Sequence, residues 1–214
     1  IGMHALTGRA GPEAAGLAYA ALADAAMRTL APAAWDETER LGGALPGGRI
    51  AVVALGKAGS REMTASSDLD LMTLYAAPPE AASETRGWPA EVFFARFTQR
   101  LISALSAHTA EGGLYEVDMR LRPTGSKGPV AVRLSAFEDY YRREADTWEF
   151  MVLTRARVVW ASDPEFAGEV EAGIERVLRA PRPGVDVAAD VLRMRGLMDR
   201  ERRPQGFWDL KLSP

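Results

Sequence analysis

The chain of 214 residues has no cysteine, so disulfides and thiolate metal sites are excluded. It has only two histidines, His4 and His108, and neither has a ligand set nearby in sequence, so an imidazole metal site is not indicated. No apolar run approaches the roughly 20 residues needed to span a bilayer, and no signal peptide is visible. There is no basic excess either: 26 basic and 29 acidic residues leave a net charge of −3. That balance argues against a nucleic-acid or membrane partner. Internal repeats, low-complexity tracts and useful heptad runs are all missing. What remains is an ordinary globular composition, 47% hydrophobic and 26% charged. The lack of cysteine fits a cytoplasmic location. The chain starts at Ile1 without an initiator Met and stops at Pro214 in what reads as a strand, so we read it as a piece of a longer protein.

The informative stretch is 50–74. An apolar run, 50–55, has the length of a buried strand and ends in glycines. The polar segment that follows begins Gly56-Lys57-Ala58-Gly59-Ser60, and then Asp68-Leu69-Asp70-Leu71 opens a second strand. Alternate side chains of a strand share a face, so Asp68 and Asp70 point one way and the leucines the other. Two neighbouring carboxylates repel each other and resist desolvation, and a divalent cation makes such a pair favourable. Backbone N–H groups of the Gly59-Ser60 turn can approach an anion closely. Carboxylates for a metal beside a phosphate cradle suggest chemistry on a nucleoside triphosphate. A P-loop fails on spacing, because no Gly-x-x-x-x-Gly-Lys-Ser/Thr is present.

Around this centre the pattern is mixed. Helices are expected over 12–30, with Pro12 suited to an N-terminus, and over 33–41. Gly42-Gly43 and Pro46-Gly47-Gly48 mark a loop, and 78–89 another. Over 90–108, Val92, Phe93, Phe97, Leu101, Leu105 and His108 recur at helical spacing. Residues 114–121 alternate, with Tyr115, Val117, Met119 and Leu121 on one face and Glu116, Asp118 and Arg120 on the other: a half-buried strand with a charged working face. A Gly/Pro loop carries Arg122 and Lys127, and 130–134 is a short strand. Ser135 and Glu138 have capping-box spacing for a helix start. The segment 146–157 is expected to continue as helix, with a short strand at 158–160 and helices over 163–179 and 187–202. The fold class is α+β, helix being the larger share. The division expected is a helical segment over 1–48, a core over 49–160 and a helical extension over 161–214.

Gly59-Ser60, Asp68-x-Asp70 and a later strand carboxylate, Asp118, resemble the nucleotidyltransferase superfamily of the DNA polymerase β type. Flanking motifs narrow the resemblance. Gly56-Lys57, Ser66-Ser67-Asp68-Leu69-Asp70, 114–125 (through Leu121-Arg122-Pro123), Thr147-Trp148-Glu149, Arg155-Ala156-Arg157 and the terminal 207–212 segment are similar to the bifunctional glutamine synthetase adenylyltransferase/adenylyl-removing family. The likeness covers about 15–214. One departure is visible: that family usually has Gly-Gly at Gly59-Ser60 and leucine at Ala58.

The resemblance implies a small mixed sheet with packed helices and transfer of AMP from ATP to a tyrosine of glutamine synthetase. It implies Mg²⁺, two ions, on Asp68, Asp70 and Asp118, which would also be the catalytic carboxylates. Gly59, Ser60, Ser67, Arg120, Arg122 and Lys127 would contact the nucleotide. A nitrogen-signalling regulatory protein would act through other parts of the full-length enzyme. The segments at 114–118, 147–149 and 155–159 look more like the adenylylating half than the removing half, which would use phosphate as acceptor. A catalytically silent regulatory module of the same fold is the non-enzymatic alternative.

Overall fold

The structure is a computed structural model that describes residues 1–110, 112–182 and 185–201. The terminal 207–212 segment lies outside the described residues. The chain opens with a short helix α1 (Gly2–Leu6) and a long helix α2 (Pro12–Gly42). Strand β1 (Arg49–Ala54), the single helical turn α3 (Gly56–Ser60) and strand β2 (Leu69–Ala76) follow. After helix α4 (Ala90–Leu105) come three short strands, β3 (His108–Thr109), β4 (Gly112–Gly113) and β5 (Val117–Asp118). A 3₁₀ turn (Gly125–Lys127) leads to β6 (Ala131–Arg133), α5 (Leu134–Arg143) and α6 (Thr147–Leu153). The rest is β7 (Arg157–Ala161), α7 (Pro164–Arg179) and α8 (Val187–Glu201). Among the described residues no helix is long and apolar enough to cross a membrane.

The sheet is mixed, as the α+β expectation requires. β1 lies antiparallel between β2 and β7, with a bulge against β7 between Val52 and Val53. The far edge of β2 takes two parallel strands end to end: Thr73–Tyr75 pairs with β6, and Leu69 and Asp70 pair with β5. Alternation sorts the side chains to two cores. Ile50, Val52, Ala54, Leu69, Leu71 and Tyr75 join a layer with Met27 of α2 and Phe93, Phe94 and Phe97 of α4. Ala51, Val53, Leu55, Met72 and Leu74 join Phe137, Phe150, Phe166 and Val170 from α5, α6 and α7. Helices cover both faces, which is why 50–55 reads as an unbroken apolar run instead of an alternating one. Burying each phenylalanine contributes about 1.5–3 kcal/mol, so these layers hold the sheet rigid under the site.

Several local expectations are corrected. The helices expected over 12–30 and 33–41 are one helix that runs through Pro32. Proline there removes an N–H and crowds the carbonyl of the preceding turn. Burial on both sides of it prevails: Met27, Ala31, Ala34 and Thr38 all face the core. The capping box expected at Ser135 and Glu138 does not form, because β6 runs straight into α5, whose N-cap position is Arg133 with no side-chain cap bond. A capping box forms instead at Asp146 and Glu149, opening α6 after a break in the helix expected to continue there. Finally, α4 ends at Leu105, so His108 pairs in a ladder instead of extending that helix. Only Val117 and Asp118 of the strand expected over 114–121 make ladder contacts.

Candidate active site

β1 and β2 deliver the site from opposite directions. At the end of β1 the Leu55 N–H donates to the Asp70 carbonyl at 2.8 Å, and Gly56 turns the chain with φ +50. After the α3 turn, Arg61 sits in the left-handed region at φ 61 and the chain returns through a loop to β2. That loop is closed by Ser67, whose hydroxyl accepts the Thr64 N–H at 2.9 Å and pairs with the Thr64 hydroxyl at 3.0 Å. The Leu69 N–H donates to the Glu116 carbonyl at 2.8 Å, which locks β5 beside β2. The parallel register then sets Asp70 directly opposite Asp118. Asp68 precedes Asp70 by two residues on the same face. Carboxylate oxygens of Asp68, Asp70 and Asp118 lie within 4.8 Å of one another.

The three are not electrostatically equal. Arg120 reaches back to Asp118: its Nε donates to the two carboxylate oxygens at 3.0 and 2.8 Å, and its backbone N–H donates at 2.7 Å. These bonds hold the Asp118 carboxyl below the usual carboxylate range. Asp70 has no bonded cation among the described residues. Burial first, then the charges of Asp68 and Asp118, push it up to about 6, against weaker help from Arg120 and Lys57. Gly56 is pressed onto the same carboxylate, since a Cβ there would lie 2.1 Å from Asp70 Oδ2. Clustered hard oxygens of excess negative charge, with one member already resisting ionisation, are a donor set that suits a divalent cation.

The other residues singled out from sequence take varied places. Gly59, expected to cradle phosphate, is buried, and its N–H is bonded to the Leu55 carbonyl at 2.7 Å. It is glycine for close approach: a Cβ would sit 1.9 Å from the Arg155 carbonyl oxygen. The Ser60 hydroxyl donates to the Gly56 carbonyl at 3.2 Å and to Glu62 at 3.0 Å. Ser67 is committed to its loop. Arg122 is spent on the carbonyls of Pro129, Gly128 and Met119, so it shapes the 122–129 loop instead of offering its fork to a ligand. Lys127 is exposed on the 3₁₀ turn, and its ammonium has no hydrogen bond or ion pair among the described residues. An open groove of about 410 Å³ runs beside the carboxylates, lined by Asp68, Glu116, Asp118, Met119, Arg120 and Arg122. A larger hollow of about 540 Å³ lies elsewhere, between α2 and α4, and contains none of the three aspartates.

Sequence reading passed over one residue of this neighbourhood. Asp24, buried on α2, pairs with Arg157 of β7. A lone aspartate on the alanine-lined face of a helix, among Ala20, Ala23 and Met27, was the available signal, because such a charge is costly without a partner.

Residues 1–172 match the family model described as glutamate-ammonia ligase adenylyltransferase. The chain is 61% identical over 215 residues to the bifunctional glutamine synthetase adenylyltransferase/adenylyl-removing enzyme of Caulobacter vibrioides, a match covering 100% of this chain and 22% of that protein. It is 48% identical to the enzyme of that name from Agrobacterium fabrum, over 99% of this chain, and 47% identical to the one from Rhizobium meliloti, over 100%. The chain thus spans 22% of the length of these curated relatives.

Proposed function

This chain belongs to the glutamate-ammonia ligase adenylyltransferase family, and from that premise we propose that it is a nucleotidyltransferase unit moving AMP from ATP to a tyrosine hydroxyl of glutamine synthetase. The observation that carries this reading is the meeting of Asp68, Asp70 and Asp118 within 4.8 Å at one end of the sheet. These three would hold Mg²⁺, two ions on this reading, which when bound supplies charge stabilisation at both ends of an in-line displacement at the α-phosphorus. The tyrosine oxygen forms the new bond to phosphorus, the bond to the bridging oxygen breaks, and pyrophosphate leaves. Asp118 faces the groove through which the acceptor hydroxyl enters, and it takes that hydroxyl's hydrogen bond. Arg120, exposed and paired with Asp118, offers the triphosphate a cation at the mouth of the groove. Transfer of this kind rests on positioning and charge stabilisation, so no nucleophile is needed from this chain.

The relatives' names join adenylylation and its removal, and the removing half would share the carboxylates. The segments at 114–118, 147–149 and 155–159 support the adenylylating half. A regulatory protein that signals nitrogen status would reach this unit through parts of the longer relatives, in the cytoplasm. The test is the intact mass of glutamine synthetase subunits after incubation with the chain, ATP and Mg²⁺, beside Asp68→Asn. Gain of one AMP, abolished by the substitution, is the expected result. AMP loss from modified subunits with phosphate would move the chain to the removing half. Silence in both directions would leave the non-enzymatic module.

A further inference from the structure

Asp24 is 6% exposed, an unusual place for a charge on a helix otherwise packed through alanines and Met27. Its bonded partner is Arg157, whose Nη1 and Nη2 donate to the two Asp24 oxygens at 3.0 and 2.8 Å, and Arg61, just past the end of α3, brings a second guanidinium to 3.7 Å from the same carboxylate. The Arg157 guanidinium has further work. Nη2 donates to the Ala58 carbonyl at 2.9 Å and Nε to the Gly59 carbonyl at 3.2 Å. Those carbonyls end α3, where a helix has no partners of its own for them. A helix of five residues does not persist alone. It stands here because one end is tied by Arg157 and the other rests on Asp70 through Gly56, where a Cβ would lie 2.1 Å from Oδ2. Gly59, with no side chain, lets the turn lie directly on the Arg155 backbone. A continuous chain of contacts therefore runs from Asp24 to Arg157, to α3, to Gly56 and to the Asp70 carboxylate.

We propose that Asp24 and Arg157 are positioning residues of the transfer site: together they set the α3 turn that holds the Asp70 carboxylate in place. The inference rests on the reading of the three aspartates given above. It makes α2 part of the working unit, although Asp24 touches neither the carboxylates nor the groove. Arginine is required because one planar fork must serve a carboxylate and two carbonyls at once; lysine, a point charge, cannot.

The test measures Mn²⁺ binding to the whole chain by calorimetry, with melting temperature alongside. The variants are Asp24→Asn, the milder Arg157→Lys, and Arg49→Ala. The last breaks the Arg49–Glu169 pair at the opposite end of β1, so it reports what loss of an ion pair does to stability alone. Losing a group bonded directly to a metal ligand costs on the order of 10–100-fold in affinity, and Asp24 acts one step further out through Arg157 and α3, so Asp24→Asn is expected to weaken Mn²⁺ binding by up to about tenfold. Arg157→Lys falls between it and the wild type, while Arg49→Ala binds like the wild type at an equal or lower melting temperature. In the transfer assay the Asp24→Asn loss appears in kcat more than in KM for ATP. Asp24→Asn and Arg157→Lys proteins that fold and bind Mn²⁺ as the wild type does would overturn the positioning role and leave the site itself standing. A wild-type chain that binds no Mn²⁺, with or without ATP, would overturn the reading of the aspartates and this inference with it.

Discussion

Arg120 lays its guanidinium across both oxygens of Asp118, two residues before it in the chain. Directly opposite, Asp70 carries no such counter-charge. One cation therefore guards the carboxylate that faces the groove and leaves the neighbouring pair to repel. Arg120→Gln is expected to tighten Mn²⁺ binding several-fold when no nucleotide is present, because a competing positive charge is gone. The same variant should bind ATP with Mg²⁺ more weakly. Calorimetric titrations with and without nucleotide read both; unchanged metal affinity would show that Arg120 does not compete for Asp118.

The raised pKa of Asp70, about 6, has a definite sign in stability. A carboxyl raised in the folded state holds more protons there than in the unfolded chain, across the window from the usual carboxylate range up to about 6. Stability from this group falls as pH rises through that window and stays low above it. Glu39, raised mainly by burial, acts in the same direction, so the comparison must be with a variant. Asp118, held low by Arg120, contributes stability that is fully present above the usual carboxylate range and is lost only as pH falls below it, outside this window. Metal-free Asp70→Asn is expected to melt higher than the wild type at about pH 7.5 and to lose most of that advantage at about pH 5. Melting curves at the two pH values check it. Equal melting temperatures at about pH 7.5 would mean Asp70 is not strained.

Gly59 and Gly56 are glycine for different reasons, and alanine should separate them. A Cβ at Gly59 meets two backbone oxygens, Arg155 at 1.9 Å and Ala54 at 2.8 Å, neither of which can swing aside. Gly59→Ala is expected to cost about 2–4 kcal/mol in urea unfolding, at the upper end for overpacking. A Cβ at Gly56 meets the Asp70 carboxylate instead, a side chain that can move. Gly56→Ala should therefore lose less stability but most of its Mn²⁺ affinity. The reverse order of the two effects would contradict this account.

Pro32 is tolerated in α2 but not favoured there. Pro32→Ala restores a hydrogen bond to the Arg28 carbonyl and removes a steric conflict, partly offset by a freer unfolded chain. A gain of about 1–2 kcal/mol in urea unfolding is expected. No gain would mean that the helix is already bent to suit the proline.

Much of the centre was legible from residue order. Asp68 and Asp70 share a face because a strand alternates, and Val117 and Met119 turn inward while Asp118 turns out for the same reason. The motifs around them were enough for the family. Local signals failed where something distant competed. Ser135 and Glu138 have the spacing of a capping box, but β6 enters α5 without the break a cap needs, and Glu138 pairs with Arg176 instead. Pro32 should end a helix, but buried residues on either side hold it continuous.

By itself, then, the sequence determined that strands carry the aspartates, though not the full extent of those strands, that Asp68 and Asp70 share a face, and which family the chain joins. These depend on neighbours a few positions apart, where periodicity and spacing are direct readings of geometry. Tertiary structure alone decided that Gly59 serves close packing, that Arg120 rests on Asp118, and that Asp24 holds the turn beneath Asp70. Asp24 and Arg157 are separated by 133 positions, and their pairing has no local signature. It arises only when two helix-covered faces of one sheet close and a buried charge must find its counterpart.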